Sequence, residues 1–274
     1  MSAGGLRLRR IALGILFGLA FAYACAVGAI YAAQRSLVFP APDTFADMPG
    51  GYTRVALRTG DGLTLAAAWR APAPGRRTVL FFHGNGDSWA GGALAVAALT
   101  EAGYGALLPE YRGYGANPGS PSEAGFYADA RAAMAWLGDQ GIAPGQVVIV
   151  GNSLGGGAAT QLALESRPAG LALVSAFTAM GDVAAEKMPW LPARLMVKDR
   201  FANAEKLGQI KAPVLILHGT ADSMVLPYHA RALARAQPRA RLVLVPGADH
   251  DLAWKPAGQQ ALLDWADRLA QPAP

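Results

Sequence analysis

Apolar positions along the chain fall into two regimes. Residues 11–33 carry no charged side chain, and at ~1.5 Å rise per residue a helix of that length extends about 34 Å, enough to cross a hydrocarbon core of ~30 Å. A buried helix of a soluble domain normally keeps a polar face, and this stretch has none. Further on, short apolar runs are separated by Gly, Pro, Asn and Asp. Runs 53–58 and 63–69 flank Thr59-Gly60-Asp61-Gly62 and predict a hairpin. Thr78-Val79-Leu80-Phe81-Phe82 is apolar on both faces of an extended chain, as expected of a strand covered on both sides. The pattern then predicts helix 89–102, strand 106–108, helix 121–140, strand 147–150, helix 154–165, strand 171–174, strand 214–217, helix 227–236, strand 241–245 and helix 256–269. Ser120 is the expected cap of helix 121–140, with Pro121 in its first position and Glu123 closing a capping box. Strands and helices alternating at this length predict an α/β fold: a mostly parallel central sheet with helices on both faces.

These regimes divide the chain into an N-terminal membrane anchor, residues 1–34, and a single domain, residues 35–274, large enough to fold around its own core. The formal charge is +5, but Arg7, Arg9 and Arg10 supply three of those charges, and no acid precedes Asp43. The remainder is nearly balanced, which gives no footprint for nucleic acid. Cys25 is the only cysteine, so neither an internal disulfide framework nor a Cys-rich zinc site is available. The Arg-rich flank places the N-terminus in the cytoplasm and the domain outside it, on the periplasmic side in a bacterium. A cleaved signal peptide is the competing reading, although its apolar region usually spans only ~7–15 residues. Ala22-Tyr23-Ala24 before Cys25 is a faint lipoprotein box, and Ala24-Cys25-Ala26 a weak cleavage site.

The strongest chemical signal is Gly151-Asn152-Ser153-Leu154-Gly155, placed between a predicted strand and a predicted helix. A serine hydroxyl is a poor nucleophile unless it is held exposed beside a base. A sharp strand-to-helix turn does this, and its crowding calls for glycine two positions before and after the serine. In folds built on this turn the acid and then the base follow the serine along the chain. Of the histidines that follow, His218 ends a buried strand and reads as structural, and His229 falls within a helix on a surface face. His250, in a loop between the last strand and last helix, is the candidate base. Asp222, just past the strand ending at residue 217, is the candidate acid. Asp249 and Asp251 are its rivals, although Asp249 suits an Asx-type turn. His83-Gly84-Asn85-Gly86 follows the first long buried strand, and the backbone N–H groups of Asn85 and Leu154 are the candidate oxyanion donors. The His83 side chain itself is expected to pack structurally.

Taken together, His83–Gly86, Tyr111-Arg112-Gly113-Tyr114-Gly115, Ser120–Glu123 with Asp129, Gly151–Gly155, His218-Gly219-Thr220-Ala221-Asp222 and His250 occur in the order of one known group. The chain resembles serine hydrolases of the α/β-hydrolase superfamily. The branch it resembles is membrane-associated and includes protein depalmitoylases, and it is close to serine aminopeptidase-like hydrolases. The lead-in Arg35-Ser36-Leu37-Val38-Phe39-Pro40 after an apolar helix is similar as well. Glu110 and Asn117 depart from the pattern, which more often has aspartate and serine there. The resemblance implies an α/β-hydrolase fold, a Ser153–Asp222–His250 triad and no metal or organic cofactor.

About 35 residues separate the strands ending near 174 and starting at 214, and they form a short lid. Its Met180, Trp190 and Met196 are candidate substrate contacts suited to an acyl chain, the alternative being that they only pack the connection onto the domain. The function expected is hydrolysis of carboxylic esters or thioesters through an acyl-enzyme. An amidase or aminopeptidase-like activity, for which Glu110 and Glu186 are the only acidic candidates, and a non-catalytic membrane-tethered binding protein are the alternatives.

Overall fold

The apolar runs assemble into one eight-stranded sheet. The structure is a computed structural model and describes residues 3–269; the ends of the expected anchor and of the expected domain lie outside them. In chain order the elements are α1 (Ala3–Val38), β1 (Thr53–Arg58), β2 (Thr64–Arg70), β3 (Thr78–Phe82), α2 (Trp89–Ala95), α3 (Ala97–Glu101), β4 (Gly105–Pro109), α4 (Glu123–Asp139), β5 (Val147–Asn152), α5 (Gly155–Ser166), β6 (Gly170–Val174), α6 (Met180–Lys187), α7 (Ala193–Met196), α8 (Asn203–Leu207), β7 (Val214–Gly219), α9 (Tyr228–Ala236), β8 (Arg241–Val245) and α10 (Pro256–Ala266). The strand order is β1-β2-β4-β3-β5-β6-β7-β8. β1 pairs antiparallel with β2, and β2 with β4. The other pairs are parallel, so six strands deliver their carboxyl ends to one rim.

Strand alternation divides the core between two faces. Leu80, Phe82, Ile149, Leu171, Leu173 and Ile216 pack with Phe126 and Ala133 of α4 and Ala158 and Leu162 of α5. Val79, Phe81, Val148, Val150, Ala172 and Leu215 turn the other way and pack with Trp89 of α2, Leu99 of α3 and Leu262 and Trp265 of α10. β3, β4, β5 and β6 are buried along their whole length, which accounts for their lack of polar alternation.

Several boundaries differ from expectation for identifiable reasons. The helix expected over 89–102 is two helices meeting at Val96, which leaves helical geometry at φ −104° and ψ 13°. Two glycines and a β-branched valine give that segment little helix propensity. Helix α4 is capped by Ser122, whose Oγ accepts from the Gly125 N–H at 3.1 Å, and not by Ser120. Glu123 closes no box: its Oε2 accepts from the Arg200 N–H at 2.7 Å and its Oε1 from the Tyr127 hydroxyl at 2.5 Å. The last helix stops at Ala266, short of residue 269.

α1 continues four residues past the expected end of the anchor. Its stretch Arg7–Val38 is long and apolar enough to cross a membrane, and the most apolar part of it is not buried in the fold. Its last turns are held by the lid. Gln34 Oε1 accepts from the Lys198 N–H at 2.8 Å, and the Arg35 guanidinium donates to Asp199 at 3.1 Å. Asp199 also accepts from the N–H of Glu123, the first residue of α4, at 2.8 Å.

The loop after β4 is fixed by a buried ion pair. Arg112 donates through its backbone N–H to Asp129 Oδ2 at 2.9 Å and through Nε to Asp129 Oδ1 at 2.8 Å, while its outer nitrogens reach Asp61. Asp129 is fully buried in α4. Removing Asp129 leaves the Arg112 N–H and Nε without their acceptor, while Asp61 still compensates the guanidinium charge. Asp129→Ala is therefore expected to lower unfolding stability by about 1–3 kcal/mol, read as a lower denaturant midpoint at unchanged m-value.

Candidate active site

The turn from β5 into α5 sets the position of Ser153. Its φ of 51° lies in the left-handed region that non-glycine residues seldom occupy. Its N–H donates to Val174 O at 2.9 Å, tying the turn to the end of β6, and its carbonyl accepts from the Gly156 N–H at 3.0 Å. The flanking glycines are required by close approach. A Cβ on Gly155 would lie 2.1 Å from Phe82 O, and one on Gly151 would lie 2.7 Å from Gly155 O. Helix α5 can lie this close to β3 at Gly155, and to its own strand β5 at Gly151, only without those side chains.

The structure brings Ser153, His250 and Asp222 together. His250 Nε2 lies 3.0 Å from Ser153 Oγ, and His250 Nδ1 lies 2.9 Å and 3.1 Å from the two Asp222 oxygens. A carboxylate accepts only, so Nδ1 carries the imidazole proton and Nε2 presents its lone pair to the serine hydroxyl. The loops bearing the acid and the imidazole are laced together. Ala221 N–H donates to Ala248 O at 2.9 Å, and Gly247 N–H donates to Thr220 Oγ1 at 2.9 Å. A Cβ on Gly219 would come within 2.1 Å of Ala248 O, so this contact too depends on glycine. Asp249 and Asp251 do not take the acid position. Asp249 accepts from the N–H groups of His250 and Ser223, each through Oδ1, and Asp251 pairs with Lys255.

Asp222 has a further partner that sequence reasoning treated only as structural. His218 Nε2 lies 2.9 Å from Val225 O and 3.2 Å from Asp222 Oδ2, fully buried at the end of β7. The carbonyl accepts only, so the Nε2 proton is shared between it and the carboxylate. Asp222 Oδ1 also accepts from the Met224 and Val225 N–H groups at 3.0 and 2.8 Å. Burial alone would raise the Asp222 pKa, but the hydrogen bonds from His218, His250 and Val225 outweigh it and hold the carboxyl well below its ordinary range. The four-residue spacing of His218 and Asp222 across the end of a strand was the available signal.

The His83–Gly86 loop runs beside the turn: a Cβ on Gly84 would lie 3.5 Å from Ser153 Cβ. The expected donors, Asn85 N–H and Leu154 N–H, have no acceptor among the described residues. Two tyrosines hold the loop in place. Tyr111 OH donates to His83 O at 2.9 Å, and Tyr114 OH to Asn85 Oδ1 at 3.0 Å. The His83 ring is buried, with Nδ1 2.8 Å from Gly84 O. Glu110 and Asn117, which depart from the family pattern, serve the backbone. Glu110 accepts from the Trp89 N–H at 2.5 Å, and Asn117 bridges Ala66 N–H to the carbonyls of Glu110 and Tyr111.

The three lid residues do not converge on one place. Met180 is half-buried against the core, Trp190 is exposed beside Tyr23 of α1, and Met196 lines an apolar cleft between the lid and α1. His229, expected on a surface face, is instead buried under α6. Its Nδ1 accepts from the Thr178 N–H at 3.2 Å, and its Nε2 lies 3.0 Å from Glu186. The lid supplies the cover that the helix pattern alone does not reveal. Among the described residues no cluster of three or more His, Cys, Asp or Glu has the geometry to hold a metal ion.

A mostly parallel sheet with a serine on a tight β5–α5 turn defines an α/β protein of the hydrolase type. A family model described as the alpha/beta hydrolase family matches residues 79–205. An uncharacterized protein of Mycobacterium tuberculosis is 39% identical, over 81% of this chain and 82% of that protein. Protein bem46 of Schizosaccharomyces pombe is 31% identical over 74% of each chain. The WAV2 protein of Arabidopsis thaliana, an alpha/beta hydrolase domain-containing protein, is 29% identical over 76% of this chain and 75% of its own. The chain belongs to the alpha/beta hydrolase family. Among solved structures, the Pyrococcus furiosus esterase Pf2001 superposes with a TM-score of 0.65 at 21% identity, covering 83% of this chain and 95% of the esterase. A thermophilic esterase from Thermogutta terrifontis superposes with a TM-score of 0.59 at 20% identity, over 79% and 99% of the two chains. At these identities the two esterases share the fold with this chain.

The depressed Asp222 pKa has a stability consequence of definite sign. A carboxyl whose folded pKa is lowered stabilises the fold above its unfolded pKa, and loses that contribution as pH falls toward the folded value. The advantage of the wild type over Asp222→Asn, on the order of 2 kcal/mol, is expected in full above about pH 5 and should shrink below pH 4. Denaturant titrations of both proteins at pH 7 and pH 3 check this, and an advantage that grows toward pH 3 contradicts it.

Proposed function

We propose that this protein is a membrane-anchored serine hydrolase that cleaves carboxylic esters or thioesters through an acyl-enzyme on Ser153. The observation that carries the reading is the 3.0 Å approach of His250 Nε2 to Ser153 Oγ, with Asp222 on the opposite nitrogen. In this reading Ser153 Oγ attacks the substrate carbonyl carbon while its proton passes to His250 Nε2. The imidazolium is stabilised by Asp222. The carbonyl oxygen, now negative, accepts from the Asn85 and Leu154 N–H groups. Collapse of the tetrahedral adduct breaks the bond to the leaving alcohol or thiol, which takes the proton from His250. Water then attacks the acyl-enzyme, gives its proton to His250, and the acid departs as Ser153 regains its hydrogen. His218 acts as a positioning residue through Asp222.

The ester and thioester reading is favoured over an aminopeptidase by the state of the acidic side chains. An aminopeptidase needs a carboxylate free to receive a substrate ammonium. Glu110 is buried and engaged with the Trp89 N–H, and Glu186 is engaged by His229 and Tyr228. A scaffold role leaves unexplained why the serine occupies left-handed backbone beside an oriented imidazole. The anchor in this reading is α1, with its arginine-rich end in the cytoplasm and the hydrolase domain outside it.

Purified protein should hydrolyse a short-chain p-nitrophenyl ester and take up a fluorophosphonate label. Ser153→Ala should abolish labelling and lower turnover by at least about 10³-fold with the fold retained by circular dichroism. Undiminished turnover in that variant would remove the mechanism.

A further inference from the structure

The lid grips α1 well inside its uncharged stretch. The Tyr23 hydroxyl donates to Trp190 O at 3.0 Å, and the two rings meet edge to face with centroids 6.3 Å apart. Twelve residues of the charge-free run 11–33 precede Tyr23. As helix they extend only about 18 Å, short of a hydrocarbon core of ~30 Å. A span beginning after Arg10 needs about 20 residues and so ends near Ile30. Tilt lengthens that requirement. The lid touches α1 at Tyr23 and at Ile30, so the segment that must lie in lipid and the segment that the lid contacts overlap across residues 23–30. The helix can complete its crossing only if the outward surface of the lid shares the outer boundary of the bilayer.

The surface of the lid is suited to that boundary. Leu195 is 89% exposed and Trp190 52%, and Leu37 on the adjoining turn of α1 is 55% exposed. Tryptophan and tyrosine favour the membrane interface, and Lys and Arg there keep their charge toward the headgroups. Lys198 Nζ stands 4.2 Å over the Tyr31 ring, and Arg35 pairs with Asp199 one turn beyond it. Ile30, Leu37, Met188, Leu191 and Met196 line an apolar cleft of about 70 Å³ at the same level.

We propose that the lid is a bilayer-interface element, with Trp190 and Leu195 seated among lipid acyl chains beside α1. The inference rests on the reading of α1 as a membrane anchor. Immersion would also set the reaction centre close to the lipid surface. The lid leaves β6 at Val174, whose carbonyl accepts from the Ser153 N–H.

The test uses the full chain reconstituted in phosphatidylcholine vesicles and an environment-sensitive thiol label at one site at a time. The sites are native Cys25, which is exposed on α1, and, in a Cys25→Ser background, Leu195→Cys or Asp139→Cys. Leu195 is exposed, so its replacement removes little packing. Asp139 ends α4 at the opposite rim of the sheet and is also exposed. Lipids carrying a nitroxide on the acyl chain should quench the labels at positions 25 and 195 several-fold more than the label at 139. Strong quenching at 25 with none beyond the 139 level at 195 overturns the inference and leaves the anchor in place. No quenching at 25 overturns the anchor reading, and the inference with it.

Discussion

Everything at the rim of the sheet depends on how closely α5 approaches β3. The Gly155 backbone passes so near the carbonyls of Phe82 and His83 that no side chain fits between them. That approach has two results at once. It bends the chain after β5 sharply enough to put Ser153 in left-handed geometry, and it places the turn beside the loop that leaves β3. A wider separation would relax the serine and draw the turn away from the His83–Gly86 loop. The parallel register of β3 and β5, with Phe82 opposite Gly151, supports the same arrangement from within the sheet.

A second close approach, between Gly219 and Ala248, does for the acid and imidazole what the first does for the serine. Around these two contacts the polar groups form shells of increasing distance from Ser153. His250 touches it, Asp222 orients His250, and His218 and two backbone N–H groups hold Asp222. On the other side the Tyr111 and Tyr114 hydroxyls hold the His83–Asn85 loop, and Arg112 with Asp129 fixes the segment that carries both tyrosines. The loops that carry the residues nearest the serine are thus pinned by hydrogen bonds from neighbouring segments.

Much of this was legible in the sequence because it is written in residues that the backbone requires. Gly151 and Gly155 mark the turn, and the uninterrupted apolar strands mark a sheet covered on both faces. Of the three side chains chosen from the turn motif, strand ends and chain order, His250 stands within hydrogen-bonding distance of both Ser153 and Asp222. What escaped was set by partners distant in the chain. Ser122 displaced Ser120 as the cap of α4 because the Gly125 N–H is within its reach, while Glu123 is occupied by Arg200 and Tyr127. His229 was expected at the surface because nothing in its own helix indicates that α6 covers it. Trp190 and Met196 turn toward α1, and no periodicity in the lid announces a neighbour some 160 residues earlier.

Asp199 joins three bodies with one carboxylate: one oxygen receives Arg35 of α1 and the other the first N–H of α4. Together with the Gln34 bonds to the lid backbone, this makes the end of α1 a lever with its fulcrum at the domain surface. A change in the inclination of α1 must either carry the lid with it or break these hydrogen bonds. In the anchored arrangement proposed above, bilayer thickness, which bears on that inclination, is thereby connected mechanically to the segment rooted beside Ser153.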